Sequence, residues 1–414
     1  MASRKNILIL TPWSYNDALI QAYTLPYVRI IRKNIDTNNK VLLVTFDQPA
    51  YKMDNGELSK IKTSLKEEGI ELITFSYTKF DIKLFIKAFS YIIQLYKIIK
   101  KNKIDVIHSW CTPAGSLGYL LSKLTKTPLV IDSYEPHAEA MVENGTWKKG
   151  GVKFKILNFF ERKLTHSAKV IISATRGMRE YAASRYGCNI RNFLVKPACV
   201  DLNIFNLSVI KNDQLLNELG LNNKIVCVYA GKFGGIYLTQ EVFDFLKVAE
   251  DKWGDKFRAL FLTNHNKDEL IQWSRHSGFD EQKMICKFVS HSEVIHYLAL
   301  GSFAITPVKP IPTKKFCSPI KDGEYWGLGL PVVITKDISD DSELIEKYNA
   351  GSVLNMLNKA EYKKAIDKIE TLISSEGTKE RINQIAHDYR SFEIAELVYK
   401  RVYGNDEFNL NPLG

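Results

Sequence analysis

Apolar residues in this chain gather into short continuous runs, separated by longer stretches in which they recur every three or four positions. The runs lie at 5–11, 41–46, 70–76, 105–110, 128–133, 169–174 and 192–197, and again at 224–230, 257–263, 284–289, 302–307, 331–335 and 351–355. A run without polar alternation predicts a strand covered on both faces, as in a parallel sheet. The alternation of strand and helix predicts an α/β chain of doubly wound, Rossmann-like domains. At 414 residues there is room for two or three domains, each with its own core. The break is expected near 198–222, where V-K-P-A-C-V-D leads into a polar helix. The reading is a first domain at 1–200 and a second at 201–385. A helical end at 386–414 would carry Tyr389, Phe392, Leu397, Val398 and Tyr399 back toward the first domain. Two such domains would face each other across a cleft lined by the carboxyl ends of their strands, where open α/β sheets bind ligands. No internal repeat interrupts the pattern.

Composition changes little, at 45% hydrophobic and 25% charged residues, as in soluble globular proteins. Charge changes more. Residues 1–200 hold 31 Lys+Arg against 16 Asp+Glu, a net of +15, whereas the whole chain is at +11. Two stretches concentrate this charge beside aromatics: a helix expected at 80–103, and 147–169 with Lys148, Lys149, Lys153 and Lys155 near Phe154, Phe159 and Phe160. Such helices suit an anionic membrane surface. No nucleic-acid motif accompanies the charge, so nucleic acid is not an expected partner. The cysteines at 111, 188, 199, 227, 286 and 317 form no C-x-x-C pair and read as buried free thiols in a reducing compartment. The opening M-A-S-R-K-N-I-L-I-L has an apolar core too short for a signal peptide. The expected location is therefore cytoplasmic, peripheral at the inner face of the cell membrane.

Candidate chemistry clusters at strand ends. In S-P-I-K-D-G-E-Y-W-G-L-G-L-P-V-V-I (318–334), a Ser-Pro turn and Lys321 open a helix that carries Glu324 about one turn in. Unpaired N–H groups and a lysine at a helix N-terminus favour an anion, and a carboxylate beside them can accept hydrogen bonds from a diol. Phosphate next to sugar hydroxyls suggests a nucleotide or nucleotide-sugar. V-Y-A-G-K-F-G-G (228–235) follows a strong strand. Gly231, Gly234 and Gly235 let the backbone approach a ligand, and Lys232 can meet a diphosphate. The dinucleotide pattern G-x-G-x-x-G is absent there and at 327–331, which argues against a nicotinamide-dependent oxidoreductase. K-F-V-S-H-S-E (287–293) opens a helix capped by Ser290 or Ser292; Val289 and Ser290 could hold a base through the backbone. Glu135, His137 and Glu139 cluster after the strand at 128–133, where His137 can orient a hydroxyl or stabilise developing positive charge. Trp13, Ser14 and Tyr15 end the first strand; the two aromatics either stack on a sugar or pack between helices.

Taken together, the sequence resembles the retaining glycosyltransferases of family four, which have the two-domain GT-B fold. The likeness rests on S-P-x-K-x-x-E-Y-x-x-x-G-x-P-V-V at 318–333, F-E-R-K-L-T-H-S-A-K-V-I-I-S-A-T at 160–175 and V-K-P-A-C-V-D at 195–201. The resemblance implies that Glu324 binds the donor ribose and that Ser318, Pro319, Ile320 and Lys321 lie by the diphosphate or transferred sugar. It places Lys232 on the phosphates and His137 near the donor sugar. Two positions depart from the family: Phe316 stands where a first glutamate is expected, and Leu238 where a second lysine is.

The implied reaction moves a sugar from a nucleoside-diphosphate sugar, the co-substrate, to a saccharide or lipid-linked acceptor with retention. No separate cofactor is expected, and no Asp-x-Asp element suited to a metal-bridged diphosphate occurs. The catalytic candidates are His137, Lys232 and Glu324, with Trp13, Ser14, Tyr15 and Glu135 on the acceptor side. Rival readings are an inverting GT-B transferase or nucleotide-sugar epimerase, and a non-catalytic nucleotide-sugar-binding subunit.

Overall fold

A computed structural model describes residues 5–17, 19–78, 82–187, 192–290 and 292–404, with only the backbone at 82–86. Phe80, Cys188 and His291 lie outside the described residues. The chain divides into two units, Met1–Pro197 with Glu393–Gly414, and Ala198–Phe392. The sequence suggested changes at 200/201 and 385/386. They fall instead at 197/198 and 392/393, because the helix Thr378–Arg390 ends in a buried arginine that belongs to the second unit.

The first unit is built on seven parallel strands: β1 (Ile7–Leu10), β2 (Val41–Asp47), β3 (Ile70–Ser76), β4 (Val106–Trp110), β5 (Leu129–Tyr134), β6 (Val170–Ser173) and β7 (Phe193–Val195). Their order is β3-β2-β1-β4-β5-β6-β7. All four residues of β1 are fully buried, which explains why the run shows no alternation: both faces are covered. Burying each such aliphatic side chain is worth about 1.5–3 kcal/mol.

The terminal helix Phe392–Tyr403 completes this unit. Tyr399 donates to Asp132 Oδ2 at 2.6 Å, and Tyr403 meets His108 Nδ1 at 2.6 Å. Lys196 Nζ lies 3.3 Å from Asp132 Oδ1 and 3.6 Å above the Tyr27 ring. Burial alone would raise the Asp132 carboxyl, but Lys196, His108 and Tyr399 outweigh it and hold the group at about 2. A carboxyl depressed on folding stabilises the protein above its unfolded value, and that contribution is lost as pH falls toward 2.

The second unit holds β8 (Ile225–Ala230), β9 (Phe257–Leu262), β10 (Met284–Lys287), β11 (Phe303–Thr306), β12 (Val332–Thr335) and β13 (Gly351–Leu354), all parallel, in the order β10-β9-β8-β11-β12-β13. β10 stops before the expected 289, since Phe288 is 77% exposed and Ser290 turns into the next helix. In each unit one pair of neighbours, β1/β4 and β8/β11, marks where the winding reverses. That is where a doubly wound sheet opens a crevice at its carboxyl edge.

Candidate functional site

At the carboxyl edge of β8 and β11, two loops are stitched together. Leu238 N–H donates to Pro307 at 2.8 Å, Lys309 N–H to Ile236 at 2.9 Å, and Tyr237 pairs with Val308. Beneath them runs the helix Ile320–Gly327, whose Tyr325 hydroxyl accepts the Ala230 N–H at 3.2 Å. This brings Lys321 to the mouth of β8. Its ammonium lies 4.5 Å from the Tyr229 ring centroid and 4.4 Å from that of Tyr237, a cation held between two aromatic faces. Burial pulls the Lys321 pKa down, but Tyr229, Tyr237 and Asp322 more than offset that and keep it charged.

Gly231 shows why the loop is glycine-rich. Its φ is +155°, and a Cβ built there would stand 2.7 Å from Lys321 Nζ and 2.8 Å from the Tyr229 hydroxyl. Only a residue without a side chain admits the lysine this close. Three residues further along the helix, and so on a neighbouring face, Glu324 is 8% exposed, and its side-chain carboxyl has no hydrogen-bond partner among the described residues. Burial pushes its carboxyl up to about 7, with Lys321 pulling the other way. The first N–H groups of the helix have no acceptor within it. Cation, amides and carboxyl together match the chemistry of a phosphate followed by a diol.

Other positions fare differently. Lys232 is exposed, and its carbonyl accepts the Tyr229 hydroxyl at 2.6 Å. Gly234 and Gly235 carry the same loop onward with positive φ. Pro319 is the residue before the helix. Ser318, read as a donor contact, accepts the Ala198 N–H at 3.0 Å and an Arg390 N–H on its hydroxyl oxygen. Val289 and Ser290 follow β10, the edge strand two away from β8. Ser290 gives both its N–H and its hydroxyl to Glu293, and the helix proper starts at Val294, later than a Ser290 or Ser292 cap implies. Phe316 is buried with Lys315 5.0 Å above its ring, and Leu238 joins the apolar core. Both departures are packing positions here. Tyr229 and Tyr237, which frame Lys321, carry no sequence signal beyond flanking the glycines.

In the first unit, Ser14 ties two loops, accepting from Gln48 N–H at 2.8 Å and donating to the Phe46 carbonyl at 3.3 Å. Tyr15 is buried, leaving Trp13 as the partly exposed aromatic. His137 Nδ1 lies 2.9 Å from Glu135 Oε1, so a Nδ1–H tautomer donates to the carboxylate and presents Nε2 as an acceptor. Glu139 is turned away from this pair, bound by the Tyr181 hydroxyl and by Arg185 at 3.1 Å. The buried Glu161 caps the helix His137–Glu143 from behind. It accepts from Ala138 N–H at 3.0 Å and from the Tyr186 hydroxyl at 3.0 Å, and burial pushes it up to about 7 against those donors.

A family model described as Glycosyltransferase Family 4 matches residues 40–203, less than half of the chain. The Escherichia coli protein UDP-Gal:alpha-D-GlcNAc-diphosphoundecaprenol alpha-1,3-galactosyltransferase is 28% identical over 148 residues, covering 36% of this chain and 37% of that protein. The chain thus matches little more than a third of that relative's length. Among solved structures, Anabaena Alr3699/HepE in complex with UDP aligns with a TM-score of 0.69 at 16% identity, over 96% of this chain and 98% of its own. WaaG, a glycosyltransferase involved in lipopolysaccharide biosynthesis, aligns with a TM-score of 0.70 at 12% identity, over 96% and 100%. The fold is therefore GT-B: two parallel-sheet, Rossmann-like α/β domains.

Proposed function

We propose that the chain is a glycosyltransferase that moves a sugar from a nucleoside-diphosphate sugar to a saccharide or lipid-linked acceptor, with retention at the anomeric carbon. The observation that carries the reading is the cradle of Gly231, Lys321 and Glu324 at the winding reversal of the second sheet. Relatives support its particulars. The E. coli protein's name specifies a UDP-activated galactose and a diphosphoundecaprenol-linked acceptor, and the Anabaena protein binds UDP. A UDP-sugar is accordingly the first donor to try.

In this reading the bond from the anomeric carbon to the β-phosphate oxygen breaks as the acceptor oxygen bonds on the same face, and the acceptor proton passes to the departing phosphate. Negative charge grows on the diphosphate, where Lys321 and the helix amides are already in place to stabilise it and the exposed Lys232 can be drawn in. His137, held by Glu135 in the first unit, is a further catalytic candidate in this reading. The test is a thermal-shift panel of UDP- and GDP-sugars, since a ligand bound only by the native state raises its apparent stability. It is followed by transfer to a polyprenyl-diphosphate saccharide with the product's anomeric configuration read by NMR. Binding without transfer to any acceptor supports the non-catalytic reading, and an inverted product replaces retention.

The proposal includes a membrane-facing acceptor side. Among the described residues no helix is long and apolar enough to cross a bilayer. The neighbouring helices Ile82–Lys101, Cys111–Thr125 and Val152–Ser167 of the first unit instead expose Phe89 (68%), Ile93, Tyr96, Leu124, Val152 and Phe159 (51%). Lysines lie over three aromatic rings: Lys100 on Tyr96, Lys123 on Tyr119 and Lys163 on Phe159, at 5.7, 5.6 and 5.4 Å. No Asp or Glu occurs at 82–104, 106–131 or 144–160. Exposed aromatics among uncompensated lysines fit an anionic interface. The protein should sediment with vesicles containing anionic phospholipid at low salt, be released by high salt, and bind at least threefold less after Phe89→Ser with Phe159→Ser. Equal indifference to anionic and neutral vesicles would remove the membrane from the proposal.

A further inference from the structure

The loop that opens the donor helix is tied to the place where the chain enters the second unit. Ser318 Oγ accepts the Ala198 N–H at 3.0 Å, while Arg390 Nη1 donates both to Ser318 Oγ and to the Ala198 carbonyl, the latter at 3.1 Å. The Val200 N–H donates to the Arg390 carbonyl at 2.8 Å, and Val200 pairs with Ser391. The entering segment and the leaving segment of this unit therefore lie side by side, with Ser318 attached to both.

The same arginine holds the helix from behind. Arg390 Nη2 donates to the buried Asp341, and the Thr306 hydroxyl at the end of β11 bonds Oδ1 of Asp322, whose carboxyl interacts with that of Asp341. Asp322 directly follows Lys321 in the helix that carries Glu324. Gly323 packs so closely that a Cβ there would stand 2.9 Å from Val200 Cγ1 and 3.2 Å from Arg390 Cβ. The Arg390 guanidinium also lies 5.4 Å from the Trp326 ring centroid. Two carboxyls face one guanidinium in a fully buried site. Burial raises both carboxyls despite the arginine.

We propose that Arg390 is a positioning residue for the donor site, and that through Ser318 it links occupancy of the 231/321/324 cradle to the paired crossing segments at 198–200 and 390–391. This rests on reading that cradle as the donor site. Movement of the helix N-terminus onto a diphosphate pulls on Ser318, which the arginine bonds directly, and on Asp322, which it meets through Asp341; the same arginine bonds the entering segment. A core arginine serving packing alone would stabilise the unit without answering to ligand.

The experiment is amide hydrogen exchange of the full chain with and without UDP, together with UDP binding by calorimetry, in wild type, Arg390→Lys and Ser318→Ala. In wild type, UDP should slow exchange of the Val200 amide at least threefold. Arg390→Lys keeps the charge but loses the fork. Its UDP Kd should rise about tenfold and the UDP response at Val200 should vanish, while exchange there without UDP stays as in wild type. Ser318→Ala, the milder change, should raise Kd about threefold and lose the same response. Wild-type Kd and an intact Val200 response in both variants overturn the proposal, as does a response absent from UDP-bound wild type. If wild type binds neither UDP nor GDP, the donor-site reading itself fails and takes this inference with it.

Discussion

Lys321→Met is expected to slow sugar transfer about 10²–10³-fold at saturating donor, the range seen when one preorganised charge-stabilising donor is removed. Methionine fills the space between the Tyr229 and Tyr237 rings without the charge, so the fold should survive. What is lost is a cation already fixed against Gly231 before the diphosphate begins to accept charge. An exposed lysine must instead be ordered as the reaction proceeds. Lys232→Ala, at such an exposed position, should therefore cost less than Lys321→Met. Release of nucleoside diphosphate under single-turnover conditions reports the step directly. A Lys321→Met turnover within threefold of wild type would mean that the buried ammonium does not face the leaving group.

Glu324→Gln should weaken donor binding by about 10- to 100-fold, the loss expected when hydrogen bonds to a charged acceptor are downgraded. The pH dependence is the sharper signature. In the free protein burial pushes this carboxyl up to about 7, and only the ionised form accepts from both hydroxyls of a diol. Donor affinity should rise between about pH 6 and 8 in wild type and be flat in Glu324→Gln. Stability moves the opposite way. A carboxyl whose folded value lies above the unfolded one keeps its proton longer in the native state, so it costs stability as pH rises from about 4.5 through 7. At pH 8 the glutamine variant should be the more stable protein, by about 2–3 kcal/mol at most, and indistinguishable from wild type at pH 4. Titration calorimetry and urea unfolding across this range check both halves. A donor affinity that ignores pH would place the ribose elsewhere.

Much of this was legible in the residues themselves. Most of the strands are legible as apolar runs, because parallel strands buried on both faces, such as Ile7–Leu10, have no polar alternation; Ile70–Ser76, with Glu71 exposed, is an exception. Lys321 and Glu324 were legible because their spacing on one helix is local. The partners of Ser318 are not legible, for a reason of distance. A serine before a helix suggests a ligand or a cap, yet its partners lie 120 and 72 residues away at Ala198 and Arg390. Glu139 likewise looked like part of an open acidic group until Tyr181, 42 residues on, bound it. The two tyrosines around Lys321 were invisible for the same cause: an aromatic at a strand end is read as core, and only the folded loop shows what lies against its ring.

The terminal helix has a consequence for how the protein is made. Tyr399 and Tyr403 supply hydroxyls that the buried Asp132 and His108 meet, so a nascent chain that has emerged only to Pro197 cannot yet close its own first half. The segment from Ala198 to Phe392 is continuous and needs nothing from outside itself for its sheet. Synthesis from the amino end should therefore leave the earlier-made half waiting on the ribosome while the later-made half matures first, with the helix Phe392–Tyr403 acting as the latch.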